Sequence, residues 1–289
     1  MRHDDIDAFL EATAPAMAKR PAALVFAEDG VEIGSTLTHL LDRGFGTVAL
    51  FCGDDIAVPE ALEPRIHCVP WAIHRENAVP EAVNRTIAAA PGAWLHYCYN
   101  AEYLFFPFCE TRTIRDLVTF HTEERRDAML TYVVDLYAGD LDRHPQAVSR
   151  DEALLDRLGY YALARGDAAK NWAPKDRQMD FFGGLRWRFE EHVPWDRRRI
   201  DRIGIFRARP GLTLNADHTF SDEEYNTFAC PWHNNLTAAI CSFRTAKALR
   251  TNPGSRYDIP TFRWQNSVPF QWHSQQLLDL GLMEPGQWF

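Results

Sequence analysis

The first half of the chain alternates short, unbroken apolar runs with longer amphipathic stretches. AALVFA (22–27) reads as a buried strand. VEIGSTLTHLLDRG (31–44) carries apolar residues at helical spacing and closes on Gly44. GTVALFCG gives a second strand and RIHCVPWA a third. ENAVPEAVNRTIAAA reads as a helix stopped by Pro91, and WLHYCY as a fourth strand. A helical lead from Asp4 to Lys19, interrupted by Pro15, precedes them. Strands that alternate with helices at this spacing predict an α/β fold, a three-layer α/β/α arrangement around a mostly parallel, Rossmann-like central sheet.

Beyond Thr113 the pattern shifts. TIRDLVTFHTEERRD predicts an amphipathic helix and AMLTYVVDLYAGD a long strand ending in a turn. Residues 140–183 are polar and poorly patterned and read as an irregular excursion. GGLRWRFE and RIGIFRAR read as strands. NNLTAAICSFRTAKALR has apolar side chains at 236, 240 and 243, an Asn before it and NPG after it, which predicts a helix. The expected organisation is a helical lead over 1–20, one α/β domain over 21–230 that includes the excursion, and an α-rich C-terminal extension over 231–289 packed on that domain.

Composition narrows the partners. With 289 residues, 46% of them hydrophobic, the chain can bury a full core. A net charge of −9 excludes a general nucleic-acid binder, which needs a basic face. WDRRRIDRIGIFRAR (195–209) is a local basic cluster whose arginines are either a diphosphate contact or a solvated helix end and strand edge. The six cysteines show no CxxC pair and no regular spacing, so neither a zinc ribbon nor a disulfide framework is expected. The acidic start MRHDDIDAFLEAT is not a secretory signal, and no apolar run approaches the ~20 residues of a membrane helix. A cytoplasmic setting is the expectation, with peripheral membrane contact and oligomeric state left open.

Candidate chemistry gathers where strands end. The first strand runs into Glu28, Asp29 and Gly30, the second into Gly53, Asp54 and Asp55, and the fourth into Asn100, Ala101 and Glu102 before the apolar run resumes. Open parallel sheets bind ligands at this carboxyl edge. A cation or a sugar would use such carboxylates; as turn formers and helix caps, Asp29 and Asp55 have an equally good structural reading. Neither GxGxxG nor GxxxxGK[ST] occurs, which argues against a dehydrogenase or a P-loop enzyme, and GxSxG is missing too, against an α/β-hydrolase. A base that deprotonates a hydroxyl must be a carboxylate or a His near the cleft. Asp135, ending VVDLY, is the first candidate, and Asp222 to Glu224 a looser one. His233 and His273 have no paired ligand spacing.

Taken in order, AEDGVEIGSTLTHLLDRGF, WLHYCYNAEYLFFP, RTIRDLVTF, VVDLYAGD and GGLRWRF resemble a family 2 type glycosyltransferase of the GT-A fold, over roughly the first two thirds of the chain. The resemblance implies transfer of a sugar from a nucleotide-sugar donor to a glycan or lipid-linked acceptor, with inverting chemistry. It matches Glu28 to the acidic end of the first strand and His218, after Asp217, to a family histidine. Ser242-Phe243-Arg244 matches a family His-Phe-Lys, with Arg244 as the retained cation. It also implies a divalent Mn or Mg bound by an Asp-x-Asp motif to neutralise the leaving diphosphate. Here that motif is degenerate: one register puts Tyr99 and Ala101 at the two aspartates, the other puts Asn100 and Glu102 there. Glu102 is the one acidic residue common to both. The alternative expectation is therefore a catalytically silent GT-A domain that binds a nucleotide, a sugar or a protein.

Overall fold

The computed structural model describes residues 1–231 and 233–288; Trp232, the neighbour of His233, and Phe289 lie outside the described residues. The chain begins with α1 (Ile6–Met17), β1 (Ala22–Phe26), α2 (Ile33–Asp42), β2 (Thr47–Cys52), β3 (His67–Pro70), α3 (Ala78–Ala89) and β4 (Trp94–Tyr99). It continues through β5 (Glu102–Phe105), α4 (Ile114–Glu123), β6 (Ala128–Ala138), β7 (Ala153–Asp156), β8 (Tyr161–Asp167), β9 (Ala173–Phe182) and α5 (Gly184–Arg188). Last come β10 (Asp201–Arg207), β11 (Ala229–Cys230), β12 (His233–Asn234), β13 (Ala238–Ser242), α6 (Arg244–Thr251), β14 (Ser267–Pro269) and α7 (Ser274–Asp279). The fold is α/β with a large, mostly parallel sheet. Among the described residues no helix is long and apolar enough to cross a membrane.

The chain divides into two compact units. The first comprises Met1–Leu104, Thr111–Leu130 and Ile203–Asn226; the second comprises Phe105–Glu110, Thr131–Arg202 and Thr227–Phe289. In the first unit β1 is central, parallel to β2 on one side and to β4 on the other, with β3 parallel beyond β2 and β10 antiparallel beyond β4. Every residue of β1 and β2 is buried, which explains their unbroken apolar runs: a strand covered on both faces has no polar side to show. Phe26, Phe51 and Leu24 are fully buried, and each such side chain contributes about 1.5–3 kcal/mol relative to exposure. Phe9 of α1 meets Phe51 edge-on at 5.8 Å, so the helical lead packs onto the first unit's strands.

In the second unit β13 runs parallel to β6, with Ser242 opposite Asp135, while β7 pairs antiparallel with β6 and β14 with β7. Tyr137, Leu154, Leu185, Leu249 and Phe262 belong to one buried cluster. The hairpin β8–β9 forms a two-stranded sheet of its own.

Four expectations are corrected here. Residues 140–183 are not irregular: they hold β7 and the β8–β9 hairpin, whose strands escape a pattern search because β8 is largely exposed and β9 mixes charges with apolar residues. GGLRWRF is not a strand but α5. Its Leu-x-Trp-x-Phe alternation mimics period 2, yet Gly184 at φ 63 turns the chain and Leu185 drops into the buried cluster. The span 234–250 is not one helix: Ala238–Ser242 is a wholly buried strand, and α6 starts only at Arg244. Arg244 therefore sits in the first turn of its helix, not the last half. The extension over 231–289 is accordingly mixed rather than α-rich.

Candidate functional site

In the first unit the strand order β3-β2-β1-β4 reverses direction at β1: the chain moves outward through β2 and β3, then returns to place β4 on the other side. A crevice forms outside the carboxyl ends of the strands at such a reversal. Phe26 is level with Tyr99 on one side and Phe51 on the other, so the segments after β1, β2 and β4 leave the sheet side by side. They carry Glu28 and Asp29, Asp54 and Asp55, and Asn100.

Asn100 ties two of these ends together. Its backbone N–H donates to Phe26 O at 3.1 Å, extending the ladder past β4. Its side-chain Oδ1 accepts from Glu28 N at 2.9 Å, while Nδ2 donates to Asp29 Oδ1 at 2.7 Å and Val31 O at 2.9 Å. Asp29 Oδ1 also accepts from Val31 N at 2.9 Å. The amide supplies an acceptor oxygen and two N–H donors from one side chain, so Asn100 suits this bridge as an ionised, acceptor-only aspartate would not. Ala101 then turns left-handed at φ 59, with its N–H donating to Thr36 Oγ1 at 2.9 Å. Glu102 Oε2 accepts from Tyr99 N at 2.9 Å.

These bonds test the implied metal. Asn100 and Glu102 are fully buried; the Asn100 side chain is spent on the loop after β1, and Glu102 Oε2 turns back onto Tyr99 N. Among the described residues no group of three His, Cys, Asp or Glu is arranged to hold a metal ion. The residues at this turn do not fit an Asp-x-Asp cation site, and Glu102 acts as a closure for the turn.

The acidic side chains nearer solvent are Glu28, half-buried, and Asp54 and Asp55, exposed. A short polar network lies at the start of α2. Ser35 Oγ meets Tyr103 Oη at 2.8 Å, Tyr103 Oη donates to Glu32 Oε2 at 3.3 Å, and Ser35 Oγ also donates to Glu32. Glu32 is the N-cap residue of α2, and its carboxylate accepts from the Ser35 and Tyr103 hydroxyls rather than from the helix N–H groups. His218 lies elsewhere: its ring stacks on Tyr97 at 5.8 Å and 17°, with Nδ1 3.1 Å from Tyr97 Oη. Tyr97 pairs with Leu24 in mid-strand, so His218 is held against the body of β4 rather than its carboxyl end.

The second unit contains Asp135 and Arg244. Asp135 is 1% exposed; Oδ2 accepts from Leu185 N at 2.9 Å, and Oδ1 stands 3.8 Å from Arg186 Nε without a hydrogen bond. Burial pushes its carboxyl above the usual range, opposed by the Arg186 charge and the Thr245 hydroxyl. In this conformation Asp135 supports the Gly183–Leu185 turn and does not face an acceptor. Arg244 is half-buried, and its backbone N–H donates to Ser242 Oγ at 3.2 Å.

The basic cluster is largely neutralised within each unit. Arg207 pairs with Asp127 and Arg209 with Asp222 in the first unit; Arg198 pairs with Glu190 and Arg199 with Asp180 in the second. Sequence reasoning did not single out Glu32, Ser35 and Tyr103 as a group: Glu at the N-cap followed by Ser is the reverse of a capping box and gives no helix-start signal. It also missed Asp156, a buried carboxylate that accepts from Tyr137 Oη, Trp264 Nε1 (2.7 Å) and Arg188 Nε (2.8 Å). Compared with known protein families and with curated proteins, the chain matches no family model and no curated sequence.

Proposed function

We propose that the chain is a glycosyltransferase-like protein of the GT-A type that receives a nucleotide-sugar at the carboxyl edge between β1 and β4 and passes the sugar to a glycan or lipid-linked acceptor. The observation that carries this reading is the strand-order reversal at β1, where Asn100 holds the Glu28 backbone at the end of β1 and the exposed Asp54–Asp55 turn follows the neighbouring β2. Carboxylates at such an edge accept hydrogen bonds from ribose or sugar hydroxyls. Because Asn100 is committed to the loop after β1 and Glu102 to Tyr99 N, donor binding at this edge proceeds without a cation held by that motif. His218 is the candidate base within the first unit, held against mid-β4; Asp135 belongs to the second unit, where it supports the Gly183–Leu185 turn.

The test is thermal unfolding against a panel of nucleoside diphosphates and nucleotide-sugars, with Mn or with chelator, followed by assay of sugar release and transfer. Stabilisation by one nucleotide that is equal in Mn and chelator, and lost in Glu28→Gln, is the expected result. No stabilisation by any donor rejects the reading.

A second reading, a nucleotide- or sugar-binding domain without turnover, is favoured by the commitment of Glu102 to Tyr99 N. Stabilisation by a nucleotide-sugar with no release or transfer selects it.

A further inference from the structure

Among the described residues the second unit carries the large exposed apolar side chains apart from Met1, and several lie on the β8–β9 hairpin and its base. Tyr161 and Leu163 point the same way from β8, two residues apart, and Leu158 precedes them. The Tyr161 ring stacks on Phe182 at 5.2 Å and 19°, and Phe182 stacks on Trp195 at 5.8 Å and 27°. The outer members of this stack face water, with Trp195 65% exposed and Tyr161 43%; Leu163, further along β8, is 52% exposed and Trp172, at the hairpin's end, 72%. Single exposed hydrophobics are ordinary, but a joined row of this kind marks a contact surface.

The hairpin is firmly rooted and open at its end. Arg165 joins Asp180 (2.7 Å) to Asp201 (2.7 Å), Asp201 also accepts from Phe181 N at 2.8 Å, and Phe181 packs edge-on against Tyr132 at 4.9 Å. A two-stranded ribbon needs such support to hold its shape in water. Its charge runs against that of the whole chain. Over residues 161–182 there are four Arg and Lys against three Asp and Glu, a net of +1 in a chain of −9. Lys170 and Arg197 are exposed beside Trp172 and Trp195 respectively.

We infer that the β8–β9 hairpin and the Trp195 turn dock on an anionic lipid surface. Two observations single out lipid. Tryptophan and tyrosine, amphipathic rings suited to the headgroup boundary, dominate the exposed apolar set. Cations stand next to them in an otherwise acidic protein, which matches an anionic leaflet and repels the rest of the chain from it. The inference stands independently of sugar transfer, because it uses none of the residues of the β1–β4 edge.

Sedimentation of the full chain with phosphatidylcholine vesicles, with and without phosphatidylglycerol, tests it. The chain pellets with the anionic vesicles, and added salt weakens the binding. Lys170→Glu/Arg197→Glu lowers the partition coefficient on those vesicles by roughly tenfold or more. Trp172→Ser/Trp195→Ser lowers it by a similar factor, about tenfold. Bromine-labelled acyl chains quench the tryptophan emission of the unsubstituted protein, a readout that needs no variant. No pelleting with either vesicle, no quenching, or unchanged partition in both variants overturns the inference. A concentration-dependent dimer that Trp172→Ser/Trp195→Ser abolishes also overturns it, assigning the face to a second copy of the chain.

Discussion

Asn100 Nδ2 donates to Asp29 Oδ1 at 2.7 Å, joining the loops that leave two neighbouring parallel strands. The same amide nitrogen reaches Val31 O, so Asn100→Asp removes both donors and sets one carboxylate against another. The cost is about 3 kcal/mol at neutral pH, from two unmade hydrogen bonds and like-charge repulsion. One member of the new pair then titrates above the ordinary carboxylate value in the folded state. Its stabilising protonation is complete below the unfolded value and is lost as pH rises through the folded one, so the deficit shrinks in acid. Urea unfolding at pH 7 and pH 4 measures this. Mn does not restore the loss, because Glu102 remains on Tyr99 N. A substituted protein as stable as its parent, or one rescued by Mn, would show that this turn is a metal site.

Gly184 and Asp135 are similarly interdependent. A Cβ at position 184 would lie 2.8 Å from Asp135 Oδ2, and φ there is +63. Gly184→Ala combines a left-handed alanine with a clash against a buried carboxylate, at a cost of about 2 kcal/mol or more. Asp135→Asn has the opposite sign. Since burial raises the folded-state value of Asp135, its favourable protonated form is complete below the unfolded value, and that contribution fades as pH rises through the folded one. The neutral amide still accepts from Leu185 N, so Asp135→Asn is at least as stable as the parent at pH 7. The two proteins then unfold alike near pH 3. A large loss of stability at pH 7 would show instead that the ionised carboxylate is needed by Arg186.

Which parts of this were legible in the sequence follows from how each residue is covered. β1 to β4 and the helices between them are read directly, because strands buried on both faces leave unbroken apolar runs and helices buried on one face leave period-3.6 stripes. β13 was misread because AAICS, wholly buried, also satisfies helical spacing at 236, 240 and 243. α5 was misread because two glycines and one buried Leu carry its geometry, which pattern alone does not register. At the site, Glu28, Asp54 and Asn100 were found as residues that end strands. Whether Asn100 and Glu102 face a ligand or their own backbone depends on a left-handed Ala101, which sequence spacing does not report.

Asp156 gives a stability prediction. It is 1% exposed, and Arg188 meets it at 2.8 Å while lying over Trp264 at 4.9 Å and donating to Phe262 O at 2.7 Å. Arg188→Met leaves the carboxylate buried beside two neutral donors, at a cost of about 3–5 kcal/mol. Arg188→Lys recovers only part, since a single ammonium cannot reproduce the fork and the ring contact. Adding Asp156→Asn to Arg188→Met removes the stranded charge and keeps an acceptor for Trp264 Nε1. The double variant is therefore more stable than Arg188→Met alone. Urea unfolding of the parent, Arg188→Met, Asp156→Asn and the double variant closes the cycle, and strictly additive losses would mean that the two residues do not interact.

His121 sets the acid side of the stability curve. It is 1% exposed at the end of α4, with Nε2 donating to Ala128 O at 2.8 Å and Trp94 edge-on at 6.0 Å. Burial lowers its value from 6.5 to about 4; the Ala128 carbonyl opposes this, and the Arg126 charge adds to it. The unfolded chain therefore takes up a proton at this residue from pH 6.5 downward, while the folded chain does so only near pH 4. The stability tied to neutral His121 is complete above pH 6.5 and falls as pH drops through the window between those values, by up to about 3 kcal/mol. His121→Gln keeps an N–H for the Ala128 carbonyl and removes the titrating ring. Between pH 6.5 and 4 its unfolding free energy falls less steeply than the parent's, by the slope of one proton, and other titrating groups cancel in the difference. Parallel slopes across that window would show that His121 is protonated within the fold.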